Sequence, residues 1–375
     1  MFPKEKFSYE SPTYLLRTFK TMTPLHQSAN ETEEWFNAQG NKEVVSLTRT
    51  IKVVDTNGQI LTSPGISGSS MRGGDRRALF WYTLAKLGIS TAEMKETPER
   101  RSTYHTFASG GGLEKDETAY DLELQALTAE YFPLLSLYGC THKTIGWLPG
   151  QIGVGIAYPF VERLKELFIL SDKDPDSPQF IKADPRDLVT KVDRSDHKND
   201  DYWTYFRKPD NLSVSNKKQE NKDSEESNRQ SKATSRKNKG AQKTEQAEVE
   251  STTDPSNKDG QRNMVISKTY VLPGTPFGSE IVVDCTVTNL EWSALARALQ
   301  QRQLSPYIGG DSGRGFGLVR WMDGPKDPRL NPKLYDDFLD ANHDLLRGIL
   351  LNEKGFVAGI QEAAKIRQSP VMAGR

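Results

Sequence analysis

Residues 308–319 read Ile-Gly-Gly-Asp-Ser-Gly-Arg-Gly-Phe-Gly-Leu-Val, with glycine at positions 309, 310, 313, 315 and 317. Glycine loses much conformational entropy when it is ordered, so this density indicates that something approaches the main chain closely. Successive backbone amides form a concavity that binds anions, and Arg314 adds a positive charge, so phosphate is the leading candidate ligand. A glycine-rich hairpin that serves only a tight turn is the alternative interpretation.

The spacing of these glycines excludes two common nucleotide-binding loops. A P-loop requires Gly-Lys-Ser/Thr, and no lysine occurs between Lys268 and Lys326. A dinucleotide fingerprint requires Gly-x-Gly-x-x-Gly at the start of a helix. Here the spacing is Gly-x-Gly-x-Gly, and residues 318–321 after it are typical of a short strand. The sequence therefore disfavours a mononucleotide or dinucleotide ligand.

The composition of the 375-residue chain is uneven. Residues 209–262 contain no aromatic side chain and are dominated by Ser, Asn, Lys, Glu and Gln, which predicts a disordered insertion. Strand-like sequence resumes at residues 264–272. The formal net charge is zero, which gives no global electrostatic argument for nucleic acid but does not exclude a local basic stripe.

Several classes of protein are disfavoured. Cys140 and Cys285 form no Cys-x-x-Cys pair, and Cys140 with His142 supplies only two potential metal ligands, so we expect free cytosolic thiols and no metal or cofactor. The start of the chain carries charges and no apolar run, and no segment is long and apolar enough to span a membrane. We expect a soluble, cytoplasmic protein, and we find no positive sequence argument for an enzyme.

Hydrophobic periodicity predicts the main elements. Strands are expected at residues 13–22 and 44–54 and after the turn at 273, and helices at 71–87, 123–132, 292–300 and 332–367; residues 103–112 are interpreted as a flexible loop. For the helix at 71–87, Ser69 or Ser70 is the expected N-cap and Gly88 the residue after the C-cap. The aromatic run at residues 202–206 either stacks on bases or lies in a buried strand.

Three arginines lie in the first two turns of that helix, Arg72, Arg76 and Arg77. Cations at this end oppose the helix dipole, which suggests an anionic partner that compensates them. The alternative is a solvated basic face that pairs with local acids such as Asp75.

Several motifs together resemble a known family. Thr23-Pro-Leu-His26, Val53-Val-Asp-Thr-Asn-Gly58 and Pro64-Gly-Ile-Ser-Gly-Ser-Ser-Met-Arg72 occur in the order of the repeat-associated mysterious protein (RAMP) superfamily, and residues 273–277 and 309–317 follow in that order. The resemblance covers about residues 13–321. More narrowly, the chain resembles the seventh Cas family, the backbone subunits that polymerise along the guide RNA of CRISPR effector complexes.

The resemblance implies an α+β fold: a modified ferredoxin-like (RRM-like) palm with an antiparallel sheet, a hairpin thumb, inserted loops and a C-terminal helical extension. We assign residues 13–183 and 264–322 to the palm, 184–273 to the thumb with the insertion 209–262, and 331–368 to the C-terminal helices. The resemblance also implies that the protein, in a prokaryotic cytoplasm, binds crRNA, presents it for pairing with target nucleic acid, assembles head to tail with copies of itself, and contacts other effector subunits. The expected RNA-binding residues are His26, Arg49, Lys52, Ser69, Ser70, Arg72, Arg76, Arg77, Gly310, Gly313, Arg314, Gly315 and Phe316.

One departure from the family pattern bears on catalysis. In type III complexes the resemblance implies a catalytic aspartate shortly before the segment at 53–55, but no acidic residue lies between Glu43 and Asp55 here. We therefore expect no cleavage of target RNA, and the chain is most like type IV backbone subunits, with type I-D as a neighbouring group. The alternative function is an RNA endonuclease of the same superfamily that processes the guide or cuts the target.

Overall fold

The computed structural model describes residues 11–36, 42–112, 121–168, 179–195, 265–310, 312, 315–322 and 324–368. The strands are β1 (Thr13–Thr21), β2 (Ser28–Phe36), β3 (Lys42–Thr48), β4 (Thr50–Val54), β5 (Ile60–Pro64), β6 (Cys140–His142), β7 (Gly146–Leu148), β8 (Ile152–Val154), β9 (Tyr158–Pro159), β10 (Val189–Ser195), β11 (Val265–Val271), β12 (Pro276–Val283) and β13 (Val319–Trp321). The α-helices are α1 (Gly68–Lys86), α2 (Pro98–Ser109), α3 (Leu122–Tyr131), α4 (Pro133–Tyr138), α5 (Asn289–Leu304), α6 (Lys333–Ala341), α7 (His343–Leu350) and α8 (Phe356–Gln368).

The central sheet has ferredoxin-like connectivity. Its strands lie in the order β13-β1-β12-β8, and each neighbouring pair is antiparallel. Helix α1 lies between β1 and β8 in the chain, among other inserted elements, and α5 lies between β12 and β13, so these six elements follow the β-α-β-β-α-β order. The short strand β9 also pairs with β12. Leu15 and Ile281, register partners in β1 and β12, share a buried core with Leu79 of α1 and Leu295 of α5. The predicted α+β class and antiparallel sheet are confirmed.

Helix α1 begins earlier than predicted. Its N-cap is Ser67, whose hydroxyl accepts a hydrogen bond from the backbone N–H of Ser70 at 3.3 Å, so the expected cap at Ser69 or Ser70 was wrong. The predicted end is confirmed, because Gly88 follows the C-cap Leu87 with a φ of 59°.

Two other sequence-based predictions were wrong. The strand expected at 44–54 is two strands, β3 and β4, because the N–H of Arg49 between them donates to the carbonyl of Gln27 at 2.6 Å. The loop expected at 103–112 lies largely in helix α2, which Thr97 caps and Pro98 begins.

A second sheet has the strand order β10-β11-β3-β2, with β11 parallel to β3. By their internal contacts, residues 1–192 and 267–375 form one compact unit and residues 193–266 another. The first unit includes the predicted C-terminal helices, whose Tyr335, Leu346 and Ile360 lie in the same core as the central sheet. The aromatic run 202–206 and the insertion 209–262 lie outside the described residues, and the palm and thumb boundaries stay predictions.

Within the described ranges, no helix is long and apolar enough to cross a membrane. The same part of the chain brings together no group of three or more His, Cys, Asp or Glu side chains that could hold a metal ion.

Candidate nucleic-acid interface

An open cleft of about 680 Å³ lies between the first turns of α1, the strands β3 and β11, and the loop after α5. A buried cluster that includes Phe19, Met71, Phe277 and Ile308 supports it from below. Residues of five separate chain segments line the cleft: His26, Gln27, Ser28, Ser46, Ser69, Ser70, Gly73, Gly74, Arg77, Lys268, Arg302, Tyr307, Ile308, Gly309 and Gly310.

Hydroxyl and amide groups form one wall of the cleft at the start of α1. Ser69 and Ser70 are exposed there, and the amide of Gln27 donates to the hydroxyl of Ser70 at 2.7 Å. The amide oxygen of Gln27 is buried and has no hydrogen-bond partner among the described residues. Because α1 begins at this wall, the positive end of its dipole also favours negative charge in the cleft.

Three cations line the cleft. Arg77 is exposed, and its side chain makes no hydrogen bond or ion pair with any residue that the structure describes. Lys268 lies opposite Ser46 in the β11–β3 register. Arg302 is buried and donates to the carbonyls of Ser305 and Tyr307, each at 3.0 Å.

Positive charge predominates among the described residues that line the cleft, although the buried Asp75 lies 3.9 Å from Nε of Arg302. Burial lowers the pKa of Arg302, and the nearby positive charges of Arg17 and Arg77 lower it further against the opposing effect of Asp75. Among the described residues that line the cleft, none is acidic. An anion in the cleft would therefore relieve repulsion among these cations.

Two glycines of the loop, Gly309 and Gly317, pack closely against backbone atoms of the protein itself. Gly309 has a φ of 84°, and a Cβ there would lie 2.4 Å from the carbonyl oxygen of His26. A Cβ on Gly317, with a φ of 72°, would lie 2.1 Å from the carbonyl oxygen of Ile308. The N–H of Gly310 donates to the same His26 carbonyl at 2.9 Å. Gly309 and Gly310 thus pack the loop against His26, and Gly317 allows the loop to close on Ile308. A Cβ on Gly315 would meet no described atom within 4 Å.

His26 has a structural role in the floor of the cleft. Its side chain is only 3% exposed, and its Nδ1 donates to the carbonyl of Thr269 at 2.9 Å. The imidazole packs edge-on to the ring of Tyr270, and Tyr270 in turn stacks on Phe316 with 4.9 Å between ring centroids. The predicted residue Phe316 is therefore part of an aromatic stack.

Arg72 and Arg76 do not line the cleft. Both guanidinium groups donate to the carbonyl of Tyr138, and Arg76 also donates to that of Gly139 at 2.6 Å. Tyr138 is the last residue of α4, so these cations compensate the negative end of a second helix. Burial, with Arg72 nearby, lowers the pKa of Arg76 to about 10, which leaves it charged at neutral pH. These internal contacts already compensate the two arginines without phosphate, and RNA binding by Arg72 and Arg76 stays a prediction.

Asp75 does not pair with the arginines of the helix start either. It is fully buried, and both of its carboxylate oxygens accept from Nη1 of Arg17 at 2.7 Å. The alternative interpretation, a basic face balanced by Asp75, therefore does not apply to Arg77.

The structure brings five predicted residues together in the cleft: His26, Ser69, Ser70, Arg77 and Gly310. Two others are elsewhere: Arg49 is half-buried between β3 and β4, and Lys52 is exposed on β4. Gly315 is exposed on the loop. Gly313 and Arg314 lie outside the described residues.

Sequence reasoning missed Gln27, Ser46, Lys268, Arg302 and Tyr307. Alternation along β11 places Lys268 and Tyr270 on one face, which was a usable signal. The pairing of Lys268 with Ser46 could not be predicted from the sequence, because the two residues are far apart in the chain. Arg302 lies in the last turn of α5, where an arginine is expected to compensate the helix dipole, so its position did not suggest a binding role.

No protein-family model matches the sequence, and no curated protein matches it. Similar structures are known. A chain of a Type IV-B CRISPR complex is 13% identical with a TM-score of 0.43, over 83% of this chain and 90% of that one. Cmr6 from Pyrococcus furiosus is 14% identical with a TM-score of 0.33, over 84% and 100%. Csc2 from Thermofilum pendens is 11% identical with a TM-score of 0.35, over 94% and 89%.

Proposed function

We propose that this chain is a non-catalytic backbone subunit of a CRISPR effector complex that binds the guide RNA in the cleft between the start of α1 and the loop at 307–310. The sequence resemblance to RAMP backbone subunits suggests the assembly, and the cleft supports the binding. In this proposal, copies of the chain assemble head to tail along the RNA and present it for pairing with a target.

The charge of the cleft is the observation that carries the proposal. Arg77, Lys268 and Arg302 line the same cleft as the first turn of α1 and its serine hydroxyls, and no described lining residue is acidic. Cations, hydroxyls and helix N-termini are the groups that hold phosphate, and they carry no base specificity. A guide-binding subunit needs this combination, because it must accept any guide sequence.

We propose that the chain does not cleave RNA, because two side chains that could serve as a general base, His26 and Asp55, are both engaged within the protein. His26 is buried, and its Nδ1 is engaged by the carbonyl of Thr269. Asp55 accepts from Arg163 at 2.6 and 2.9 Å and from the backbone N–H groups of Asn57 and Gln59, and these contacts, with Arg163 the largest, hold its pKa below the usual range. A carboxylate so engaged is a poor general base.

Arg77→Ala is the direct test, because this guanidinium has no described partner whose loss would disturb the fold. The variant should weaken binding of unrelated single-stranded RNAs to a similar degree, and should reduce the slope of log affinity against log salt by about 0.7 for each lost phosphate contact. Arg101→Ala is the matched control, because Arg101 is an exposed arginine of α2 that does not line the cleft.

Equal RNA binding by wild type and Arg77→Ala would show that the cleft is not the RNA site. A purified protein that retains no RNA, with an absorbance ratio at 260 and 280 nm of bare protein, would overturn the function itself. Cleavage of a labelled RNA by the purified protein, lost in a His26→Ala variant that still folds, would favour the endonuclease alternative.

A further inference from the structure

A second groove of about 390 Å³ continues the cleft along α1. The two share four lining residues, Gly74, Arg77, Arg302 and Tyr307, so Arg77 stands at the boundary between them. Beyond Arg77 the lining includes two aromatic side chains of α1, Trp81 and Tyr82, together with two alanines, Gln301 and Ser305. A chain whose backbone passes Arg77 would therefore place its next group against an aromatic surface.

Two aromatic rings in this groove are exposed. Trp81 is 49% exposed and Tyr307 is 41% exposed. Neither ring stacks on an aromatic ring or a cation of the described residues, and the hydroxyl of Tyr307 makes no hydrogen bond there. The neighbouring Tyr82, in contrast, donates to Asp336 at 2.6 Å and lies 4.6 Å from the guanidinium of Arg297. Tyr82 is therefore engaged within the protein, whereas the ring of Trp81 is exposed.

The two exposed residues are held by ordered elements. Arg77 and Trp81 are four residues apart on α1 and so share one face of the helix. Tyr307 is positioned through its carbonyl, which accepts from the buried Arg302 at 3.0 Å, and through a bridge to Leu318. A cation and two aromatic rings are therefore presented together in one groove.

We propose that this groove is a base-stacking subsite: a nucleobase adjacent to the phosphate held by Arg77 turns out of its stack and packs on Trp81, with Tyr307 beside it. The inference rests on the proposed function, since it assigns a ligand to a groove that continues the same cleft. Stacking on an aromatic ring tolerates any base, because every base has a π face. Isolated exposed aromatics are common on proteins, but here two of them adjoin a cation in a groove continuous with an anion-binding cleft.

Abasic RNA provides the test. The shortest single-stranded oligonucleotide that one copy retains is prepared as a set in which one nucleotide at a time lacks its base, and affinities are measured for wild type, Trp81→Ala and Trp81→Phe. Trp81→Ala should weaken binding of the intact oligonucleotide by about 5- to 150-fold, the range of a lost base stack, and Trp81→Phe should recover part of the loss. At the stacking position, removal of the base should weaken binding to wild type but not to Trp81→Ala.

Trp147→Ala is the matched control, because Trp147 is a tryptophan of β7 that is 61% exposed and lines neither groove. If Trp81→Ala binds as wild type does while Arg77→Ala is weakened, the stacking subsite is refuted and the proposed function stands. If wild type binds no RNA, both fall. If Trp81→Ala changes only the size of assemblies on long RNA, the groove is a contact between copies of the chain and the stacking subsite is refuted.

Discussion

Alanine at position 309 should destabilise the protein more than alanine at position 315, although both glycines have a positive φ. The φ values are 84° at Gly309 and 82° at Gly315. At Gly309 the new Cβ would lie 2.4 Å from the carbonyl oxygen of His26, a distance that real Cβ atoms do not reach. At Gly315 no atom of the residues that the structure describes lies within 4 Å of the Cβ position. The two substitutions therefore share the same backbone strain and differ in the steric clash.

The expected magnitudes follow from these two terms. A left-handed conformation costs an L-residue about 1–2 kcal/mol, which both variants lose. At Gly309 the loop must also move away from His26, and the hydrogen bond from the N–H of Gly310 to that carbonyl, 2.9 Å long, would break. Leaving such a buried group unsatisfied costs about 1–3 kcal/mol more. We expect Gly309→Ala to lower the free energy of unfolding by about 2–5 kcal/mol and Gly315→Ala by about 1–2 kcal/mol.

Equilibrium denaturation in urea, with both variants fitted to the wild-type m-value, measures this difference. RNA affinity of the same variants distinguishes the two roles of the glycine. If the two variants are equally stable to within about 0.5 kcal/mol, close packing of the loop on His26 is not the reason for the glycine. If Gly309→Ala keeps wild-type stability but loses RNA binding, the glycine provides room for RNA, as the sequence alone suggested.

Two further predictions concern buried charges. Asp75→Ala should lower the free energy of unfolding by about 3–5 kcal/mol, because it leaves the buried Arg17 without its counter-ion. Denaturation measures this loss, and a double variant Arg17→Met/Asp75→Leu that recovers none of it would contradict the reasoning. Arg163→Gln should lower the melting temperature at neutral pH, and the deficit should shrink as the pH falls below about 4. Arg163 holds the pKa of Asp55 below its usual range, so this stabilisation is present above the unfolded-state pKa and is lost as pH falls through the folded-state pKa. A deficit that stays constant down to the acid-unfolding region would refute the assignment.

Helix ends that depend on neighbouring residues could be predicted from the sequence. Gly88 indicated the end of α1, and it has the expected positive φ. Thr97 and Pro98 were equally good signals for the start of α2, but the glycines at 110–112 led to the interpretation of the segment as a loop. The break between β3 and β4 had no local signal. It depends on a hydrogen bond from Arg49 to Gln27, which lies in a different part of the chain.

The three arginines of α1 show why the candidate site could be predicted only in part. Helical spacing separates Arg72 and Arg76 from Arg77, because residues four apart share a face and the next residue is turned by about 100°. Spacing does not say which face meets the cleft. That depends on α4, whose carbonyl end accepts from Arg72 and Arg76 and leaves Arg77 for the other side. The three arginines near the start of α1 therefore have two different environments. Two of the cations donate to the carbonyl end of another helix, and the third lines the cleft for which we propose an anionic ligand.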